Sequence, residues 1–440
     1  MNSPATEKQS PPSWTQCNPL FSHPVIAVTI LSERRLTWIV LHFIYSSKKD
    51  FFLERKIPML FPVPPVTPSN LTSTSLILSS ALPLKGEKEV ATKAQFKKWG
   101  EETLQRLFTE FRSDRPGLYS DERSSEKLKK SGPAFMWGCG VMLSALTAAA
   151  KDKPKEYKPR LEPFITGLEV YWNNAGDVGG YDVLPLPKPP DRYYDDNAWV
   201  AISLMEASSV TGNKDYLQKA KRTLDYVLSG EDKKEGGVYW RENPRDSKNT
   251  CSNAPAIVAA LQFFQMTGDA TYKDTAIRIY GWTNKYLQDK DGLYFDNIKL
   301  NGELGKRKWA YNSALMIRAN LLMAQVEKDG AKRKAFLVEA RRIADASEAK
   351  WIVPETGAFD DEAFFAVHLS EALLLLARQD KDTARRDRTL RALTYLGQTG
   401  RGADGYFPTH WSNKNGKRNR TSLLDQASAA RAFLFAANSL

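Results

Sequence analysis

Thr211-Gly212-Asn213-Lys214-Asp215-Tyr216 and Thr267-Gly268-Asp269-Ala270-Thr271-Tyr272 are two copies of one phrase, T-G-[N/D]-x-x-Y, set 56 residues apart. Before each copy lies a run of 14 or 15 mostly apolar residues, opening at Asp196 in one case and Asn253 in the other. After each copy, at 217–228 and 273–287, apolar residues recur with helical period among charged ones. A glycine just past an apolar helical run supplies the left-handed turn that ends a helix. The phrase therefore predicts the elbow of a helix hairpin, with an apolar helix entering and an amphipathic helix leaving.

Outward from these two elbows the alternation continues. Further apolar helices open near Ala134, Asn312, Asp361 and Leu424, making six at intervals of roughly 50 to 63 residues. Between them lie helices richer in Lys, Arg and Glu, at 92–112, 155–172, 215–229, 271–287, 331–350 and 383–396. A helix that is apolar all round belongs inside, and one with a single apolar stripe belongs outside. Six of each in alternation predict an all-α (α/α)6 toroid of six helix hairpins, inner ring within outer ring, built from residues 91–440 as one domain. The last inner helix, 424–438, is expected to close the ring. An open superhelix of tetratricopeptide type repeats every 34 residues or so, too short for this spacing.

Residues 1–90 read differently. Pro58, Pro62, Pro64, Pro65 and Pro68, followed by Thr72-Ser73-Thr74-Ser75, mark a linker. Earlier, Arg34-Arg35 precede an apolar run at 36–45, about ten residues long, where a membrane span needs about 20. Its length suits a signal-peptide core. The expectation is an N-terminal extension with an export signal, or a start later than Met1, near Met59. A secreted or periplasmic location follows, or a cytoplasmic one if no export signal is present. No integral membrane span is expected.

Composition narrows the chemistry. With 42% hydrophobic and 26% charged residues, the chain is globular rather than disordered or fibrous. Cys17, Cys139 and Cys251 form no C-x-x-C, so neither a disulfide framework nor a zinc ribbon is built. Cys139 and Cys251 read as small buried apolar residues. His23, His42, His368 and His410 are too few for a histidine metal site or proton relay, so any catalysis rests on carboxylates, with no metal and no cofactor. The net charge of +12 is dispersed among acidic residues on the outer helices, which reads as a solvated surface and not a nucleic-acid footprint.

In a closed toroid the loops entering the inner helices meet at one mouth. Those segments are Phe135-Met136-Trp137-Gly138, Tyr193-Tyr194-Asp195-Asp196-Asn197-Ala198-Trp199, Gly236-Gly237-Val238-Tyr239-Trp240 with Lys248-Asn249-Thr250-Cys251-Ser252-Asn253, Lys308-Trp309-Ala310-Tyr311-Asn312, Phe359-Asp360-Asp361-Glu362 and Phe407-Pro408-Thr409-His410-Trp411. Aromatic faces pack on the C–H faces of sugar rings, and Asn, Lys and Asp bind hydroxyls, so the mouth reads as a sugar cleft. A single Asp before an apolar helix is a helix cap, but a cap needs only one carboxylate. By that test Asp195-Asp196 and Asp360-Asp361 rank equally. His410 reads as structural.

The ordered set Tyr194-Asp195-Asp196-Asn197-Ala198-Trp199, Gly236-Gly237-Val238-Tyr239-Trp240, Lys248-Asn249 with Ser252-Asn253, and Trp309-Ala310-Tyr311-Asn312 resembles glycoside hydrolase family 76, from about residue 95 to Ala430. That family comprises α-1,6-mannanases and related fungal cell-wall transglycosidases. The resemblance implies an (α/α)6 fold, α-mannan as the substrate, a secreted protein, and consecutive aspartates as nucleophile and general acid/base, here Asp195 and Asp196. Val200 stands where many members carry a second Trp. Adjacent aspartates suit retention, since two carboxyls about 5–5.5 Å apart leave no room for the water that inversion needs. Tyr194, Asn197, Lys248, Asn253 and Asn312 are expected to bind substrate, with Trp240, Trp309 and Tyr311 as sugar platforms, in a monomer. Two rivals share the toroid or the cleft. A sugar isomerase of the N-acylglucosamine 2-epimerase type needs histidine pairs, and the helical region offers only His368 and His410. A non-catalytic glycan-binding or cell-wall protein needs no aspartate pair.

Overall fold

A computed structural model of the chain describes residues 89–123, 131–185, 189–413 and 421–440. The linker, apolar run and export signal expected within residues 1–88 lie outside the described residues.

Twelve α-helices follow in order among the described residues: α1 (Lys93–Glu110), α2 (Met136–Asp152), α3 (Pro154–Leu168), α4 (Tyr194–Thr211), α5 (Lys214–Ser229), α6 (Thr250–Thr267), α7 (Ala270–Leu287), α8 (Ala310–Val326), α9 (Gly330–Trp351), α10 (Ala363–Asp380), α11 (Thr383–Tyr395) and α12 (Leu423–Ser439). Helices α2, α4, α6, α8, α10 and α12 each pack on the next, and α12 packs on α2, so the inner ring closes. Helices α3, α5, α7, α9 and α11 lie on the inner helix that precedes each, while α1 lies on α12. This is the (α/α)6 toroid that the alternation predicts. Each inner helix is buried nearly all round, as its even apolar coverage requires.

The elbows explain their phrase. Gly212 (φ 76°) and Gly268 (φ 78°) take the left-handed conformation and end α4 and α6, their amides donating to Ser208 and Phe264 carbonyls. Asn213 and Asp269 then cap α5 and α7, accepting from the amides of Asp215 and Thr271. Thr211 Oγ1 accepts from the Asn213 amide at 3.1 Å, and Thr267 Oγ1 from that of Asp269 at 3.3 Å. Tyr216 and Tyr272 are buried where each outer helix leaves the turn. One residue ends a helix and the next begins another, which is why the phrase is so short.

Two departures from the expected boundaries matter for the site. The helix expected at 155–172 stops at Leu168, because Trp172–Asn173 (β1) pairs antiparallel with Gly180–Tyr181 (β2). The helix expected to open at Asp361 starts at Ala363, leaving both Asp360 and Asp361 in the loop. A three-stranded antiparallel sheet of Ser247–Asn249 (β3), Asn297–Lys299 (β4) and Leu304–Gly305 (β5) joins the entries of α6 and α8.

Candidate active site

The inner helices present the same register at the mouth. The second residue of the first turn is Trp137 in α2, Asp195 in α4, Cys251 in α6, Tyr311 in α8 and Phe364 in α10. All five line one cleft of about 670 Å³, within the usual range for a ligand site. Asp196, Trp199, Trp240, Trp309 and Phe365 line it as well, together with Phe135, Asp191, Tyr193, Asp246, Asp296, Asn297 and Lys299.

Asp195 and Asp196 share the cleft but not their surroundings. Asp195 Oδ1 accepts from the Asp196 amide at 3.0 Å, and Oδ2 accepts from Trp240 Nε1 at 3.1 Å. Burial pushes the Asp195 carboxyl above the ordinary range, while donation by Cys251, the Asp196 amide and Trp240 draws it back. Asp196 has no such donors among the described residues. Burial raises its carboxyl well above the ordinary range, and the Asp195 charge beside it raises it further. One carboxyl is thus held towards the anion and its neighbour towards the acid.

Of the ten expected site residues, five line the cleft: Asp195, Asp196, Trp240, Trp309 and Tyr311. Trp240 meets Tyr193 edge-on, with ring centres 5.0 Å apart. Trp309 packs on Phe365 and lies under the Arg307 guanidinium at 3.6 Å. Tyr311 stacks on Phe365 at 4.6 Å.

The other five sit behind the walls. Tyr194 stacks on Tyr226 and accepts a bond from Arg245 Nη2 at 3.1 Å. Asn197 Oδ1 accepts from the Tyr181 amide at 2.8 Å, and its Nδ2 donates to the Tyr181 and Tyr193 carbonyls. Asn253 repeats this on the next hairpin, bonding the amide and carbonyl of Val238 and the Asn249 carbonyl. Gln426 does likewise to Phe407 in α12. These amides, each on the fourth residue of an inner helix, clamp the entry loop as a neighbouring strand would. Lys248 is buried and donates to Asp232 Oδ2 at 2.7 Å. Asn312 is fully buried, with neither side-chain polar atom bonded.

The second aspartate pair is occupied elsewhere. Asp361 Oδ2 accepts from the Ala310 amide at 3.0 Å, at the start of α8 rather than α10, and Oδ1 accepts from the Glu362 amide at 2.9 Å. Asp360 Oδ1 accepts from Ser412 Oγ at 2.8 Å. His368 and His410 also lie outside the cleft lining. His368 is half-buried and stacks on Trp199 at 4.3 Å, and desolvation pushes its imidazole down to about 3. His410 Nδ1 is 3.1 Å from Ser412 Oγ.

Sequence reasoning passed over Phe364, Phe365, Asp296, Asn297 and Lys299. A signal for their loops exists: a glycine stands one or two residues before an apolar residue ahead of five of the six entries, Gly180 before Tyr181, Gly237 before Val238, Gly292 before Tyr294, Gly357 before Phe359 and Gly405 before Phe407. Asp296 and Asn297 follow the third of these marks. Among the described residues no group of His, Cys, Asp and Glu is arranged to hold a metal ion, and no helix is long and apolar enough to cross a membrane.

The family description "Glycosyl hydrolase family 76" matches residues 97–438. The meiotically up-regulated gene 191 protein of Schizosaccharomyces pombe is 27% identical over 269 residues, covering 54% of this chain and 60% of that protein. The mannan endo-1,6-alpha-mannosidase DCW1 of Candida glabrata is 27% identical over 163 residues, covering 33% of this chain and 36% of its own length. The chain thus matches less than two thirds of the length of either curated relative. Among solved structures, a GH76 alpha-mannanase of Bacteroides thetaiotaomicron is 30% identical, covers 78% of this chain and 95% of its own, and superposes with a TM-score of 0.72.

Proposed function

We propose that this chain, which belongs to glycosyl hydrolase family 76, is a retaining endo-α-1,6-mannanase. The observation that carries this reading is the unequal setting of Asp195 and Asp196 in one aromatic-walled cleft. The α-mannanase and endo-1,6-alpha-mannosidase activities of the relatives above give it the linkage and the sugar.

In the first step Asp195, ionised, attacks the anomeric carbon of a mannosyl unit and forms a covalent ester as the glycosidic C–O bond breaks. Asp196, protonated, gives its proton to the departing oxygen. In the second step Asp196, now a carboxylate, takes a proton from water. The hydroxide portion bonds the anomeric carbon and Asp195 leaves, so two inversions restore the α configuration. Trp240, Trp309 and Tyr311 border the sugar at the mouth, while Tyr194, Asn197, Lys248 and Asn253 serve the reaction by holding the walls and Asn312 fills space behind them. The domain is residues 91–440, acting as a secreted or periplasmic monomer on polymeric mannan. An epimerase reading would need a histidine pair facing the sugar, and neither His368 nor His410 lines the cleft.

The test is reducing-end release from unbranched α-1,6-mannan, with proton NMR of the first-formed product. Internal cleavage with α product appearing first is expected. A β product first, or turnover of free amino sugars without glycoside cleavage, would sink the assignment.

A further inference from the structure

We propose that the far end of the toroid carries a second binding site, a pocket that takes a sugar phosphate monoester between Arg318 and Arg378. The pocket has a volume of about 350 Å³, at the lower edge of the usual range for small ligands, which suits one phosphorylated sugar and not a polymer. Later turns of α6, α8 and α10 form it, whereas their first turns form the cleft. From Tyr311 in the cleft to Leu321 in the pocket α8 rises by about 15 Å. The two share no lining residue. The site is therefore separate from the reaction at Asp195 and Asp196, and stands or falls apart from the mannanase reading.

The lining is two arginines, three glutamines and three leucines, with no carboxylate. Arg318 is almost wholly enclosed, with 11% of its side chain exposed. It lies 3.7 Å from Glu371 Oε2, beyond hydrogen-bond reach. Glu371 is already engaged, since Arg431 donates to its Oε1 at 2.6 Å and to its Oε2 at 3.5 Å. Glu206, the other carboxylate of this cluster, accepts from Arg431 Nη1 on both oxygens at 2.9 Å. Arg431 thus occupies both anions, and Arg318 is left short of one. Burial draws the Arg318 guanidinium below its ordinary value, and Arg431 adds to that against the pull of Glu371. An enclosed cation so poorly neutralised is completed by an anion from outside.

The rest of the pocket says which anion. Arg378 is exposed in the last turn of α10 and pairs with no carboxylate among the described residues. Asp380, two residues on, is held by Arg341 at 2.6 and 2.7 Å. An arginine in a last turn also offsets the helix dipole. Arg318, the ninth of seventeen residues in α8, has no such duty. Two guanidiniums match the nearly two charges of a phosphate monoester, and each can bind phosphate through two parallel N–H bonds. Gln262 lines the same pocket, and its Oε1 is buried without a donor. A sugar hydroxyl supplies that donor, and the leucines cover the apolar side of the ring.

The experiment titrates the full chain with mannose 6-phosphate, inorganic phosphate and mannose by calorimetry, in wild type, Arg378→Gln, Arg318→Gln and Lys334→Gln. Lys334 is exposed on α9 and controls for the change in net charge. The sugar phosphate should bind about tenfold or more tighter than inorganic phosphate. Arg378→Gln should weaken it about tenfold or more, since charge-assisted bonds are lost, and Lys334→Gln less than about twofold. Arg318→Gln should weaken it at least as much as Arg378→Gln, with circular dichroism showing the helices intact. The exposed Arg378 keeps the test open even where the buried variant fails to fold. The sugar phosphate should also raise Tm, and that rise should shrink in Arg378→Gln. No saturable binding, or binding that Arg378→Gln leaves alone or Lys334→Gln weakens equally, overturns the site. Inorganic phosphate binding as tightly overturns the sugar phosphate in favour of free phosphate. Mannose binding as tightly overturns the role of the arginines.

Discussion

Asp195-Asp196 and Asp360-Asp361 are the same dipeptide at the same kind of place, the entry of an inner helix, yet only the first pair faces the cleft. Four residues of register separate their fates. Asp195 and Asp196 are the second and third residues of α4, so their carboxyls project from the helix end into the mouth. Asp360 and Asp361 precede Ala363, the first residue of α10, and their carboxyls turn back to the chain: Asp361 to the amides of Ala310 and Glu362, Asp360 to Ser412. A carboxylate whose oxygens are spent on backbone amides is a strut. One left against a second carboxylate, with few donors, is a reagent.

The largest effect that would break this contrast is on Asp195. Asp195→Asn should lose about 10⁴-fold or more in kcat on every mannoside, activated or not, because no ester forms. Retained activity on an aryl mannoside would assign the nucleophile elsewhere. Asp196→Asn should lose about 10²–10⁴-fold on mannan but form the glycosyl-enzyme readily from an activated aryl mannoside. Added azide should then yield the α-mannosyl azide, by NMR. The β anomer from this variant would mean that azide replaces Asp196 as nucleophile and that the roles are reversed.

Acid–base behaviour sharpens the comparison. Both carboxyls are raised by burial, so the acidic limb of kcat/KM should lie above pH 4, with the basic limb set by loss of the Asp196 proton. The sign for stability is opposite to that of an ordinary paired carboxylate. Between the unfolded value and the raised folded value of Asp196, the folded protein holds more protons than the unfolded chain, so stability falls as pH rises through that window. Asp196→Asn should therefore raise Tm at pH 8 and leave it unchanged at pH 4; a lower Tm at pH 8 would contradict the raised value. The smallest effect on chemistry belongs to Asp361→Ala. It bares the Ala310 and Glu362 amides and should cost about 1–3 kcal/mol of stability, seen as a lower Tm in calorimetry. Its kcat at 25 °C should fall far less than that of either Asp195 or Asp196 variant, since the deleted bonds hold backbone amides and not the two reacting carboxyls. Loss of activity with Tm intact would promote this pair to the site.

The fold was legible because its signals are local. The Thr-Gly elbow and the contrast between apolar and amphipathic helices each lie within about 20 residues, and they place most helix ends within two residues. The aspartate pair was legible through the ordered motifs around it. What stayed hidden depends on distant partners. Asn197 and Asn253 carry the right chemistry for sugar hydroxyls, but their amides are used up on Tyr181 and Val238, 16 and 15 residues earlier. Lys248 is used up on Asp232. Asp296, Asn297 and Lys299 reach the cleft only because β4 pairs with β3, and no periodicity in 289–305 announces that pairing.

Closure of that ring sets a timetable for synthesis. The Ala91 amide bonds Thr394 Oγ1 across 303 residues of chain, and the rings of Phe96 and Trp99 on α1 rest against Phe433 on α12. On the ribosome, at about 5–20 residues per second, the first outer helix waits about 15–60 s before the region it docks on begins to emerge. Through that interval the nascent chain is an arc with two sticky ends. The last helix acts as a latch, and the burden on chaperones should fall on the aromatic face of the first.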